Sequence, residues 1–267
     1  MIEKMNRLVY RLIFMAAVGF VICIGGGADL LAQRFEGVYG GVGCRESARG
    51  GTRPVREGGY IAAGETFATD GNCGSSDIYV VRTDNQGNLL WSMRYDIGLN
   101  DSALDIETVS LDPAGGYIIT GVTDNITGAG GACPASRDIF LLRIDRCGTV
   151  IWVKTYGDAT SDEMGWDVAE TGTGDINQGT RRGDYIVAGW KSPAGGTNRD
   201  GYLMRVTAFG DCIWGKSYNG PNNRDDYFYA LDEATFGVPS TRAGDIIACG
   251  GTTSGSPCAR KIVPQPL

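Results

Sequence analysis

The stretch DIFLLRIDRCGTVIWVKTYG, from Asp138 to Gly157, reads as a strand, a tight turn and a second strand. Apolar and β-branched residues fill both halves, and the Asp145-Arg146-Cys147-Gly148 corner offers a glycine where a hairpin needs positive φ. The hairpin recurs upstream as DIYVVRTDNQGNLLWSMRYD, Asp77 to Asp96, and downstream as DGYLMRVTAFGDCIWGKSYN, Asp200 to Asn219. Trp91, Trp152 and Trp214 fall 61 and 62 residues apart. Each has a glycine four residues before it (Gly87, Gly148, Gly210) and a tyrosine four after it (Tyr95, Tyr156, Tyr218). Self-similarity at a fixed period is the mark of a repeat architecture.

One full unit runs from Asn100 to Tyr156 and holds four expected strands. They lie around Ala103 to Leu111, Gly116 to Thr123, Asp138 to Asp145 and Thr149 to Tyr156, with Gly, Asp, Asn and Pro between them. Second strands align at Tyr60, Tyr117, Tyr185 and Ile246, each followed by a glycine at Gly64, Gly121, Gly189 and Gly250. An acidic residue leads the first strands, read as Glu46, Asp101, Asp162 and Asp225. Four antiparallel strands per repeat predict an all-β chain, a β-propeller of about four four-stranded blades. The 42 glycines in 267 residues fit many tight turns.

The N-terminus reads as a secretory signal over residues 1–32. Lys4, Arg7 and Arg11 precede an apolar run from Leu12 to Ile24, and cleavage is expected after Ala32. The competing reading is an uncleaved anchor, which Gly25 to Gly27 and Asp29 disfavour. The propeller domain then spans 33–267. Phe35 and Tyr39 stand where a fourth strand carries its Trp and Tyr, so this segment is expected to complete the last blade and close the ring. Ser256 to Val263 offers only a short third strand there, and an open or truncated array is the alternative.

Net charge is −7 with no basic tail, which argues against nucleic-acid binding. The absence of histidine removes His-based triads and most catalytic zinc sites. No cofactor and no metal set is read. The nearest calcium-like string, Asp84-Asn85-Gln86-Gly87-Asn88, is read as a plain turn. Seven cysteines follow residue 32, and Cys44 with Cys73 is the first disulfide expected.

The pattern GGYIxxG followed by DxY/FLxRxDxxGxxxWxKxYG resembles the secreted bacterial β-propeller repeat proteins, over about residues 33–255. The segment Arg143 to Trp152 also looks like the tryptophan-docking segment of quinoprotein propellers, although nothing matches their quinone site. The resemblance implies a propeller exported to the periplasm, cell surface or medium. It implies no particular chemistry.

In-phase tryptophans are expected to pack between blades. Trp166 and Trp190 are out of phase, and Trp190, placed at the start of a loop, is the expected ligand contact. The repeated aspartates are expected to cap turns. Arg53, Arg56, Arg181, Arg182 and Arg242 lie on first hairpins and would gather at one face, suited to carboxylates or phosphates. The expected function is a non-enzymatic exported propeller that binds a glycan or protein through its loops. The alternatives are a carbohydrate-active or degenerate quinoprotein-like enzyme, and a fragment of a larger surface protein.

Overall fold

Strands whose apolar residues do not alternate must be buried on both faces. Tyr117-Ile118-Ile119 and Ile139-Phe140-Leu141-Leu142 are such runs, and all seven residues are at most 2% exposed. The computed structural model, which describes residues 46–50, 53–54, 58–67, 75–124, 136–158, 160–174, 180–193, 198–220, 224–234, 244–253 and 259–263, shows where the two faces go.

The first sheet holds β1 (Glu46–Ala48), β2 (Arg53–Pro54), β3 (Tyr60–Phe67), β4 (Ser76–Thr83) and β5 (Leu89–Tyr95). The second holds β6 (Asp101–Thr108), β7 (Tyr117–Asp124), β8 (Arg137–Ile144) and β9 (Val150–Tyr156). The third holds β10 (Ser161–Glu170), β11 (Tyr185–Pro193), β12 (Asp200–Val206) and β13 (Cys212–Tyr218). The fourth holds β14 (Asp226–Glu233), β15 (Ile246–Thr252) and β16 (Ala259–Val263). Every pairing is antiparallel, and no helix occurs among the described residues. The expected third strand of the last unit is β16. The expected strand at Phe35 to Tyr39 and the signal segment lie outside the described residues.

Successive sheets stack face to face. Strand β6 packs on β3, β10 on β7 and β14 on β11, while β10 also touches β6 on one side and β14 on the other. Tyr117, Ile119, Phe140 and Leu142 face the first sheet's Ile61, Ala63, Ile78 and Val80. Ile118, Ile139 and Leu141 face the third sheet's Val168, Tyr185, Val187, Met204 and Val206. Neighbouring residues of one strand therefore fill two different cores. The third sheet repeats this, giving Ile186, Ala188 and Leu203 to the fourth. Each fully buried Ile or Leu contributes about 1.5–3 kcal/mol.

Trp91, Trp152 and Trp214 pack against these cores, as their phase implied. The seats of Trp91 and Trp152 are the turn glycines of the next sheet. Gly148 has φ +86°, and a Cβ there would lie 3.0 Å from Met93 Cγ, 3.2 Å from Tyr95 Oη and 3.4 Å from Trp91 Cζ3. Gly210 meets Lys154, Trp152 and Tyr156 in the same way. Tyr95 Oη donates to Gly148 O and Tyr156 Oη to Gly210 O, each at 2.7 Å. Burial pushes both phenols well up, so they remain protonated donors.

The motif arginines are buried. Arg82, Arg143 and Arg205 are 5%, 2% and 1% exposed. Each ties the third strand of its sheet to the first hairpin. Arg82 Nη2 donates to Gly58 O at 2.6 Å and Arg143 Nη2 to Gly115 O at 2.6 Å. Arg205 Nη2 donates to Thr173 O at 3.0 Å and Arg181 O at 3.1 Å. Arg82 Nε also reaches Tyr117 Oη in the second sheet, at 3.3 Å.

The acidic phase needs correction. Glu46, Asp101, Glu163 and Asp226 share one register position, opposite Thr66, Thr123, Lys191 and Thr252. Asp162 and Asp225 stand one residue earlier. They cap the preceding sheet rather than their own turns, accepting from Arg137 N at 3.0 Å and Arg199 N at 2.9 Å. The first strand of the second unit also ends sooner than expected, at Thr108. Asp112 takes over with a turn that accepts from Ala114 N and Gly115 N before Gly116 at φ +98°.

Asp184, the ion-pair partner of Arg205 at 3.1 Å, is 2% exposed, whereas Asp112, the partner of Arg143 at 3.0 Å, is 44% exposed. Arg205→Met strands a buried carboxylate and should cost about 3–5 kcal/mol. Arg143→Met strands chiefly backbone carbonyls and should cost about 1–3 kcal/mol. Urea unfolding of the two variants checks the order.

Candidate functional site

Three of the first strands carry a β-bulge, a device that re-aims side chains. The register slips between Gly165 and Asp167 in β10 and between Phe228 and Ala230 in β14. The extra residues are Trp166 and Tyr229. The same bulge in β6 holds Leu104, which is 6% exposed. Tyr229 is 45% exposed, so the shared position opens outward at the seam between the third and fourth sheets.

Tyr229 is braced on two sides. The Trp166 ring meets it edge-on at 5.5 Å and 74°, and Tyr227 stacks on it at 5.7 Å and 11°. Both arrangements are favoured for aromatic pairs. Beyond Tyr227 comes Arg199, with Cζ 5.7 Å from the Tyr227 ring and 4.6 Å from the Trp190 ring. A guanidinium between two ring faces gains cation–π attraction on both sides. Arg199 Nη1 donates to Tyr227 Oη at 3.0 Å, and Tyr227 Oη donates to Asp225 Oδ2 at 2.9 Å. Asp225 Oδ1 accepts from the Arg199 backbone N–H, so Arg199 is held at its backbone and at its guanidinium tip. Burial pushes the Tyr229 phenol up, Tyr227 adds to this and Arg199 opposes it, which leaves a neutral ring. Arg199 Nε and Trp166 Nε1 are buried and close no hydrogen bond within the protein. The result is a continuous ladder, Trp190–Arg199–Tyr227–Tyr229–Trp166, open at Tyr229.

Trp190 is at the buried end. It is 4% exposed and lies inside β11, not at the start of a loop. The reason is register: β10 and β11 stay paired out to Ser161 opposite Pro193, so the strand continues past the expected end. Arg181 and Arg182 are exposed at the other end of that hairpin. Eight residues of extended chain put Arg182 roughly 25 Å from Trp190. Arg53 lies in β2 with its side chain outside the described residues, as are Arg56 and Arg242. No expected arginine is brought to Trp190 among the described residues.

Sequence reasoning missed Tyr227, Tyr229 and Arg199. The available signal was Tyr227-Phe228-Tyr229, a run of three consecutive aromatics. The Asp84–Asn88 string is a turn: Asp84 Oδ1 accepts from Gln86 N and Asn88 N, both at 2.8 Å. Cys147 and Cys212 are exposed and form no disulfide, and the Cys44–Cys73 pair lies outside the described residues. No protein-family model matches the chain, and no curated protein does either.

Arg181 engages its surroundings through its backbone N–H and C=O. Replacing Arg181 and Arg182 together by alanine should therefore leave the unfolding free energy within about 0.5 kcal/mol of the parent. Chemical denaturation measures this directly.

Proposed function

We propose that this chain is an exported β-propeller that binds a glycan at the seam between its third and fourth sheets and releases it unchanged. The observation that carries the reading is Tyr229, a half-exposed ring at a bulge, stacked on Tyr227 and braced by Trp166. A pyranose offers an apolar C–H face that packs on such a ring, and hydroxyls that suit fixed donors at its rim. Rigid strands hold the ladder, so little side-chain entropy is lost on binding.

The propeller reading rests on the repeat and on the face-to-face stacking of four antiparallel sheets. Ring closure would place the Phe35 to Tyr39 segment beside β16 as the missing fourth strand. Export rests on the signal-like residues 1–32. Among the described residues no helix is long and apolar enough to cross a membrane.

The test is a panel of neutral and anionic polysaccharides titrated against the full chain, with product analysis of each mixture. Saturable binding without product is expected. Tyr229→Ala should weaken it at least about tenfold, or 1.4 kcal/mol, and Tyr229→Trp should preserve it. Equal affinity in parent and Tyr229→Ala would move the site elsewhere. Product formation would replace binding with catalysis.

A further inference from the structure

The seam between the first two sheets gathers acid. Asp77 on β4, Asp96 just after β5 and Asp101 on β6 each bring one carboxylate oxygen within 4.8 Å of the others. Asp77 and Asp101 are 3% and 0% exposed, and Asp96 stands at the solvent side. Asp101 Oδ2 accepts from Ile97 N at 2.7 Å and Gly98 N at 3.1 Å. Its other oxygen is buried. Burial pushes the Asp101 carboxyl above its ordinary value, and the Thr123 hydroxyl beside it acts the other way, yet neither Thr123 Oγ1 nor Asp101 Oδ1 closes a hydrogen bond within the protein. Arg94 Nε sits 2.7 Å from Asp77 Oδ2. Three carboxylates and one guanidinium leave two negative charges in a space that excludes water from two of the acids.

The repeats supply an internal comparison. At the next seam the corresponding residues are Asp138, Gly157 and Glu163, and the cross-strand partner of Glu163 is Lys191 where Asp101 has Thr123. Lys191 Nζ lies 2.7 Å from Glu163 Oε1 and 3.1 Å from Asp158 Oδ2. Gly157 leaves that position without a side chain, since a Cβ there would collide with Asp138 Oδ1 and come 2.8 Å from Glu163 Oε2. At the third seam the set is Asp200, Asn219 and Asp226 with Thr252 across the strand pair. Where the lysine is present, the position after the tyrosine is glycine. Where threonine replaces the lysine, that position carries an oxygen ligand, Asp96 or Asn219. The ammonium and the extra oxygen exchange from seam to seam.

We infer that the first seam binds a divalent cation, calcium, held by Asp77, Asp96 and Asp101 in the place that the Lys191 ammonium takes one repeat later. An all-oxygen donor set without nitrogen or sulfur selects a hard cation. Calcium tolerates irregular geometry and completes its six to eight ligands with hydroxyl or water, for which Thr123 Oγ1 is in place. The dissociation constant should be on the order of 10⁻⁴ to 10⁻³ M, the range of extracellular calcium modules. The ion would join two sheets, so its first effect is on stability.

Calorimetric titration of calcium chloride into the chelator-stripped full chain, with Tm measured in calcium and in chelator, tests this. One saturable site and a higher Tm in calcium are expected. Asp96→Gly with Thr123→Lys copies the second seam; it should hold the chelator-state Tm of the parent while losing at least tenfold in calcium affinity. Should that variant not fold, Asp96→Ala alone, at an exposed position, should show the same loss. A parent with no binding heat and equal Tm in calcium and chelator would overturn the inference, leaving the acids to share a proton. Undiminished binding in either variant would overturn it as well.

Discussion

The first and second sheets of this protein each bury their outermost tryptophan and tyrosine on the next sheet's turn. Trp91 and Tyr95 belong to the first sheet, but their seat is Gly148 of the second; Trp152 and Tyr156 seat on Gly210 of the third. The seat must be glycine for two reasons. The hairpin corner requires positive φ, and an added Cβ would crowd the side chains seated there, Met93 and Tyr95 at Gly148 and Lys154, Trp152 and Tyr156 at Gly210. A sheet is therefore incomplete by itself, and stability resides in the contacts between nearest neighbours. Trp214 has the same role in sequence, yet its Nε1 closes no hydrogen bond within the protein, and Tyr218 rests on Phe228 instead.

Much of this frame was legible in the residues. The Trp–Tyr–Gly phase marked the hairpins because turn and packing demands coincide on those three positions. The strand boundaries followed within a few residues from β-branched runs and turn formers. The arginines of the motif were in phase too, at 82, 143 and 205, but an arginine in a strand reads as solvent-facing until its backbone partners are known. Their partners are carbonyls of the first hairpin, which no sequence pattern displays. The acidic phase slipped by one because two acids stand side by side at Asp162-Glu163 and Asp225-Asp226. Only the register decides which of them faces the seam. Trp190 was misplaced for a related reason, since strand length is set by pairing with β10 and not by local composition.

The frame repeats and the seams differ. Three seams share the same backbone arrangement, yet the first carries a third carboxylate, the second a lysine and the third an arginine held between aromatic rings. Substitution at a seam leaves the hairpins and turn glycines intact, so new contacts can arise there at small cost to the fold. The candidate ligand site follows this rule. Leu104, Trp166 and Tyr229 occupy one bulge position, which is buried at Leu104, partly exposed at Trp166 and open to solvent at Tyr229. Side-chain identity at a fixed geometry, rather than a change of backbone, separates a packing residue from a contact surface.

The stack depends most on the docking of outer-strand aromatics against turn glycines across a seam. A double-mutant cycle between Trp152→Leu and Gly210→Ala in the full chain, where a Cβ on Gly210 would lie 3.1 Å from Trp152 Cζ3, tests that contact by urea unfolding. Each change should destabilise by itself, and the pair should fall short of additivity by about 1 kcal/mol or more, because once the indole is gone the added methyl meets less resistance. Effects that add to within about 0.5 kcal/mol would show that the two residues act independently, and would contradict the docking on which the stack is built.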